Sequence, residues 1–325
     1  MLPSGRLAIH GPPSEQQTAQ QTLPQALKNL LPPKEQRRSD NPESGVVIAY
    51  NPTAGNFSLI ALSRLKQTFE NSGHRVTTTD SQNFHNAAMP EQAELVCIVG
   101  GDGTARTVIS QNHKTFHKAT YCIYPAGTVN LIAREAGYSA DCKAFVKHIS
   151  QTKDTRQHYL GLLNDKAFLC CASVGPDSAI VARTSPFLKR HFGRAAYIIA
   201  LLSHIWRWPR NGLTVTVDGE QHNAEAIFIL KAHHYAGSCV LDDRANLKTP
   251  EFRVLIMPRA RRLDFLRLVL SAAVNKCFND PNWIRIKGQT ITIASDQVLP
   301  IQADGDILAT TPAQITIKPE PICFL

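Results

Sequence analysis

Three short polar segments each close a strand-like apolar run, and each is built to hold an anion. The run Leu95-Val96-Cys97-Ile98-Val99 is continuous and rich in β-branched residues, the pattern of a strand buried in an α/β sheet. It ends in Gly100-Gly101-Asp102-Gly103-Thr104. A Gly-Gly pair at a strand end lets the backbone turn with positive φ and lets a ligand approach closely. Thr104 is placed to cap a helix over 105–111, whose N-terminal N–H groups point at whatever sits above the strand. Asp102, at the tip, has no evident packing role. Taken alone, this loop reads equally well as a tight turn before a helix. The arrangement recurs, however. Val46–Tyr50 leads into Asn51-Pro52-Thr53-Ala54-Gly55-Asn56, and Tyr121–Tyr124 leads into Pro125-Ala126-Gly127-Thr128-Val129-Asn130. A strand, a Gly-rich turn and a helix N-terminus make an anion site, and phosphate is its commonest occupant.

The elements that must position these loops alternate. Between the first two loops lie a helix with Leu62, Leu65 and Phe69 on one face, ending at Asn71-Ser72-Gly73, and a short strand at 75–79. A further helix follows the third loop and runs to Gly137. Strands alternating with helices argue for a parallel sheet, and its polar loops then share the carboxyl edge where ligands bind. From about residue 156 the pattern changes. His158–Leu163 and Lys166–Ala172 flank Asn164-Asp165, and Leu213–Val217 and Ala224–Leu230 flank a turn at Asp218-Gly219. Ile284–Lys287, Thr290–Ile293, Val298–Gln302 and Ile315–Lys318 are further short strand-like runs. Close strand spacing with frequent turns implies an antiparallel β domain, a sandwich, interrupted by helices at about 186–206 and 262–278.

The totals agree with two domains behind a tail. The chain has 325 residues and a formal net charge of +9, which favours an anionic partner: phosphates, nucleic acid or an acidic membrane surface. Residues 1–44 are rich in Pro, Gln and Ser and read as disordered, with a short helix at 23–31. None of the eight cysteines forms a Cys-x-x-Cys pair, and no zinc spacing emerges with the histidines. Cys97, Cys122 and Cys170 lie in apolar runs and read as buried thiols of a reducing compartment. The N-terminus lacks the apolar core of a signal peptide, and no apolar run reaches the length of a membrane span.

The order of the motifs resembles the diacylglycerol kinase catalytic-domain family, which includes bacterial lipid kinases and is related to sphingosine kinases and NAD kinases. The three loops occur in the family's order. Ala172-Ser173-Val174-Gly175-Pro176-Asp177-Ser178 is similar to the family's Gly-x-Asp-Ala segment, and Lys189 to Tyr197 to its Lys–Gly–Arg–Tyr helix. Gln302-Ala303-Asp304-Gly305-Asp306, followed by Thr311-Pro312, is similar to its C-terminal Asp-Gly-Glu segment. Gly-Gly-Asp-Gly-Thr alone is only moderately specific; the ordered set over about 46–325 is strongly so.

That resemblance implies an NAD-kinase-like three-layer α/β domain at 45–155, a β-sandwich domain at 156–311 that binds the lipid substrate, and a final strand returning to the first domain near 312–325. It implies ATP and Mg2+ as cofactors. Phosphoryl transfer needs cradled phosphates, magnesium against the developing charge, and a carboxylate near the acceptor hydroxyl. Backbone N–H groups of Gly100, Gly101, Gly103 and Thr104 and of Gly127 and Thr128 are expected to cradle ATP. Asn51 and Thr53 add side-chain contacts, and Asn130 contacts the nucleotide or orders its loop. Asp102 is expected to hold magnesium or orient the transfer. Asp177 and Asp306 are the pair implied to polarise the lipid hydroxyl, either one as general base; their plainer readings are a helix cap and a hairpin-turn aspartate.

Several positions depart from the family pattern. Arg106 and Thr107 stand where a Glu is usual, Asn130-Leu131 where many members have Asn-Asp, and Asp306 where Glu is usual. A Gly-rich stretch that in some members holds a structural magnesium is reduced to Ala236-Gly237 and Asp242-Asp243. From Arg183 through Arg210 there are six Lys/Arg, no Asp or Glu, and Phe187, Phe192, Tyr197, Trp206 and Trp208; Arg259, Arg261, Arg262 and Arg267 flank a second helix with Leu263, Phe265, Leu266 and Leu270. Such helices fit an anionic membrane surface as well as they fit a core with a solvated basic face. No nucleic-acid fold signature is present. The leading expectation is a cytoplasmic, peripherally membrane-associated kinase that phosphorylates diacylglycerol. A sphingoid or other lipid acceptor, an NAD-like nucleotide acceptor, a non-catalytic lipid- or nucleotide-binding regulator, and a homodimer remain open.

Overall fold

The structure is a computed structural model that describes residues 45–86, 93–112, 119–183, 212–235, 237, 239–273 and 280–325. The tail 1–44 with its expected helix, the basic–aromatic segment 184–211 and Ala236 lie outside the described residues.

In chain order the first part comprises β1 (Gly45–Tyr50), α1 (Leu59–Asn71), β2 (Arg75–Asp80), a 3-10 turn (Ser81–Asn86), β3 (Ala93–Gly100), α2 (Asp102–Asn112), β4 (Thr120–Pro125), α3 (Leu131–Glu135), α4 (Cys142–Gln151) and β5 (Arg156–His158). The second comprises β6 (Gly161–Leu163), β7 (Lys166–Phe168), β8 (Cys171–Val174), α5 (Pro176–Arg183), β9 (Leu213–Val217), β10 (Glu220–Ala224), β11 (Ala226–Leu230), β12 (Phe252–Met257) and α6 (Arg262–Ala273). It continues through β13 (Ile284–Gly288), β14 (Thr290–Ala294), β15 (Pro300–Ala303), β16 (Asp306–Thr310), β17 (Ala313–Ile317) and β18 (Ile322–Phe324).

One sheet has the order β2-β1-β3-β4-β18-β5, parallel from β2 to β18. Its crossovers run in opposite directions, β1 to β2 and β3 to β4, so right-handed connections put α1 and α2 on opposite faces. Leu65, Phe69 and Phe145 are fully buried, and the Phe69 and Phe145 rings meet edge-on at 6.4 Å, joining α1 to α4. The carboxyl ends of β1, β3 and β4 bring the three polar loops to one edge.

The other two sheets are antiparallel, with orders β10-β9-β14-β17-β6-β7 and β13-β12-β11-β8-β15-β16. They face each other over Val215, Ile229, Val254, Ile291, Ile301 and Ile315, and Phe168 stacks on Phe252 at 5.9 Å. The hairpin at Asp218-Gly219 turns as expected, with φ of 48° and 94°. β11 is buried along its whole length: Ile227 and Ile229 enter the sandwich core, while Ala226, Phe228 and Leu230 join the core of the first part. That double burial explains its unbroken apolar run.

Two strand expectations are corrected. The run His158–Leu163 is divided, because Arg156–His158 pairs with β18 in the first sheet whereas Gly161–Leu163 pairs with β7 and β17 in the sandwich. The run Lys166–Ala172 likewise switches sheets between β7 and β8. Among the described residues no helix is long and apolar enough to cross a membrane. All described cysteines are thiols, and Cys97, Cys122 and Cys170 are buried.

Candidate functional site

The three loops converge on two glycines. A Cβ on Gly101 would stand 3.0 Å from the Gly127 Cα, and one on Gly127 only 2.4 Å from the Gly101 Cα and 2.7 Å from Asn130 Oδ1. Neither residue has positive φ. Glycine is required here by the close approach of two backbones and not by the turn, which corrects the expectation for the Gly-Gly pair. The Ala126 N–H donates to the Gly100 carbonyl at 3.0 Å, and the Asn56 N–H to the Ala126 carbonyl at 2.9 Å. Asn56 Nδ2 adds a bond to the Gly127 carbonyl at 3.0 Å. Asn51 frames the first loop: its Oδ1 accepts from the Thr53 N–H at 2.9 Å and Thr53 Oγ1 at 2.8 Å, and its Nδ2 donates to Thr104 Oγ1 at 3.0 Å. Thr104 therefore lies inside α2 and receives Asn51; the helix starts earlier than expected, at Asp102. Thr53 and Thr128 remain exposed above the cradle.

Asp102 has a packing role after all. It is 9% exposed, and its Oδ2 and Oδ1 accept the N–H groups of Leu131 at 2.9 Å and Ile132 at 3.0 Å. It supplies the N-terminal cap that α3 lacks, since Asn130 is left-handed at φ 55° and makes no side-chain cap. Burial pushes the Asp102 carboxyl up, against those two N–H groups, which favour its ionised form. Both oxygens thus hold loop three against loop two through backbone N–H groups. Asn130 orders its own loop, with Oδ1 accepting from the Gly127 N–H at 2.9 Å and Nδ2 donating to the Gly127 carbonyl at 2.8 Å.

The sandwich contributes the other wall. Asp304 and Gly305 form the β15–β16 turn, with φ of 50° and 85°. Asp306 is the first residue after that turn, so the hairpin does not require its carboxylate. Its Oδ2 lies 3.5 Å from where a Cβ on Gly103 would be, directly over the start of α2. Arg106 of α2 donates to that same oxygen at 2.8 Å and to the Ala303 carbonyl at 3.0 Å. Asp304 Oδ2 accepts the Leu169 N–H at 2.8 Å, and its Oδ1 accepts those of Cys170 at 2.8 Å and Cys171 at 3.3 Å. These bonds secure the point where the chain changes sheets. Burial pushes the Asp304 carboxyl up to about 6, opposed by the Arg106 guanidinium and these N–H groups.

Asp177 does not cap a helix. Ser173 and Tyr235 donate their hydroxyls to its Oδ2, each at 2.5 Å. Gln302 Nε2 reaches Ser173 Oγ at 3.0 Å and the Tyr235 hydroxyl at 3.4 Å, and the Gly305 N–H returns to Gln302 Oε1 at 3.0 Å. The Asp177 carboxyl, raised by burial, is thus wired to the turn that carries Asp306. The third loop is tied in as well: Glu135 accepts the His234 N–H at 3.0 Å, and Arg134 donates to the Gly237 carbonyl at 3.3 Å.

Arg106, Ser173, Tyr235, Gln302 and Asp304 are site residues that the motif reading did not single out for these roles. Arg106 was visible only as a departure, and Asp304 only as the neighbour of Asp306. Asp242 is ion-paired with Arg244 at 3.1 Å, and the Lys231 ammonium donates to the Thr249 and Glu251 carbonyls. Among the described residues no three His, Cys, Asp or Glu side chains group to hold a metal. The first turn of α2 leaves N–H groups without intrahelical acceptors, the kind of donor that an anion takes up; the Gly127 N–H, expected to join them, is instead taken by Asn130 Oδ1.

Comparison with known proteins finds two matching families along the chain. Residues 45–161 match the diacylglycerol kinase catalytic domain, and residues 171–325 match the YegS C-terminal NAD kinase beta sandwich-like domain. A diacylglycerol kinase of Staphylococcus carnosus is 23% identical over 275 residues, covering 82% of this chain and 90% of that protein. One from Bacillus subtilis is 22% identical over 282 residues, covering 82% and 91%. A crystal structure of a Bacillus anthracis diacylglycerol kinase superposes with a TM-score of 0.65 at 17% identity, over 87% of this chain and 96% of that one.

Proposed function

The chain belongs to the diacylglycerol kinase family and is a kinase, and from that premise we propose that it transfers the γ-phosphate of ATP to the hydroxyl of a membrane lipid, diacylglycerol first. The observation that carries the reading is the placement of Asp306 Oδ2 over Gly103, a carboxylate from one wall facing the anion cradle of the other. Phosphoryl transfer is catalysed mainly by positioning and by fixed charge. The α2 N-terminus and the loops closed by Asn51, Asp102 and Asn130 hold the phosphates. Arg106 places positive charge beside the point of transfer. Asp306 orients the lipid hydroxyl and takes its proton. Asp177 acts behind it, fixing the 304–306 turn through Ser173 and Gln302.

A magnesium ion would be held chiefly by the nucleotide's own phosphates, as Mg2+ commonly is at such sites. Asp306, over the start of α2, would be the carboxylate nearest that ion. When bound, the ion neutralises charge that builds on the transferring phosphoryl group.

The test is phosphate transfer from γ-labelled ATP to vesicle-borne diacylglycerol, with a sphingoid base and NAD as separate acceptors. Labelled phosphatidic acid is the expected product. Transfer to the sphingoid base or to NAD alone would reassign the acceptor, and no transfer to any of them would remove the proposal.

A further inference from the structure

Helix α6 carries two apolar faces. Phe265 and Leu268 are buried, whereas Leu263 is 61% and Leu266 38% exposed. Residues three apart on a helix are neighbours, so the two outward leucines form one patch. Arg259, Arg261, Arg262 and Arg267 surround it, and all four are exposed. The helix's one acidic residue, Asp264, is buried; it accepts the Arg261 N–H at 3.0 Å and stands 4.0 Å from Arg267 Nη1. Asp280 is the nearby surface carboxylate. It is held below the usual carboxylate range by the Asn282 backbone and side-chain amides first, then by Arg267 and Arg261. Exposed leucines ringed by arginines are complementary to a surface with anionic phosphates outside and acyl chains beneath.

The inner face of the same helix leads to the site. Phe265 meets Phe228 at 6.1 Å between ring centroids, Phe228 meets Tyr235 edge-on at 5.4 Å, and the Tyr235 hydroxyl is bonded to Asp177. Cys239 Sγ contacts the Leu268 carbonyl at 3.9 Å. Three aromatic rings, Phe265, Phe228 and Tyr235, run from this helix to Asp177, behind Asp306.

We propose that the Leu263–Leu266 face of α6, with its surrounding arginines, docks the protein on an anionic lipid bilayer and sets the cleft at the depth of the lipid hydroxyl. The delivery step rests on the lipid-kinase reading, whereas the docking itself does not. Arginines at the headgroups make the contact salt-sensitive, and leucines below them make it depend on an open acyl boundary.

The experiment is sedimentation of the full chain with vesicles of phosphatidylglycerol and phosphatidylcholine, or of phosphatidylcholine alone, beside turnover of a short-chain diacylglycerol dissolved without vesicles. Wild type is expected to favour the anionic vesicles and to release with added salt. Leu263→Gln/Leu266→Gln and, separately, Arg259→Gln/Arg262→Gln should each lower partition to anionic vesicles about tenfold. Turnover of the dissolved acceptor should not change. Wild-type-like sedimentation of both variants overturns the docking face. So does a wild-type dimer that the leucine variant dissolves with vesicle binding intact, because the face would then join two copies. If wild type leaves the dissolved acceptor unphosphorylated while vesicle binding follows the expected pattern, the docking face stands and the lipid-kinase reading falls.

Discussion

Arg106 of α2 and Asp306 of the sandwich hairpin join the two parts of the fold through a 2.8 Å ion pair. The Arg106 side chain is 14% exposed and that of Asp306 51%, so the pair's direct contribution to stability is small, about 0.2–1 kcal/mol. Its contribution to geometry is larger, because Arg106 also holds the Ala303 carbonyl. Arg106→Leu is expected to change unfolding free energy by about 1 kcal/mol but to lower kcat about tenfold or more through lost positioning. The exchange Arg106→Asp with Asp306→Arg should recover part of the stability and none of the turnover. Urea unfolding and steady-state kinetics on the same samples read both effects. Turnover that survived Arg106→Leu would reduce the pair to a surface contact.

Asp102 holds loop three to loop two through backbone groups that otherwise lose their acceptor. Asp102→Ala leaves the Leu131 and Ile132 N–H groups unpaired in a buried place, at a cost of about 1–3 kcal/mol each. Asp102→Asn keeps one acceptor oxygen and should fall between alanine and wild type. The KM for ATP should rise in the same order, because the cradle loosens as the cap is lost. A KM that ignores the series would argue against a shared cause.

Gly127 has no room for a methyl group, since a Cβ there would overlap the Gly101 Cα at 2.4 Å. Gly127→Ala must push the two loops apart. Nucleotide binding by titration calorimetry should be lost while the circular dichroism of the sandwich is kept. Undisturbed binding would show that the two loops do not act together.

Asp304 gives a pH dependence with a defined sign. Its carboxyl is raised from 3.8 to about 6 by burial, opposed by Arg106 and the Leu169 and Cys170 N–H groups. The folded state therefore holds its proton more tightly than the unfolded chain. The stabilisation is fully present below about pH 4 and is lost as pH rises through about 6, to a limit of about 3 kcal/mol. Asp304→Asn removes that dependence. The difference in unfolding free energy between wild type and Asp304→Asn should shift toward wild type as pH falls from 7 to 4. A difference that stays flat would mean that the carboxyl is not perturbed.

The meeting of the three loops was legible in the sequence because each part is local. Each strand, glycine turn and helix start is contiguous, and the strand-to-helix alternation dictates that the loops share an edge. The sandwich was legible from turn spacing, as at Asp218-Gly219. What escaped depends on distant partners. Asp102 reads as a spare carboxylate until the fold brings Leu131 and Ile132 to it from 29 and 30 residues away. Gln302 meets Ser173 across 129 residues. The sheet switches around Leu169 look like unbroken strands, since apolar runs do not record which sheet they enter. Arg106 stood out in the sequence only for the glutamate it replaces; its bond to Asp306 is visible only when the hairpin folds over α2.

The central claim is that the Asp306 carboxylate faces a phosphoryl group held over Gly103. The most direct measurement is transfer from γ-labelled ATP to vesicle diacylglycerol by wild type and Asp306→Asn, with ATP affinity measured in parallel. Wild type should form labelled phosphatidic acid, and Asp306→Asn should lose turnover by about a hundredfold or more with ATP affinity within a few-fold of wild type. Near-normal turnover by Asp306→Asn would contradict the account.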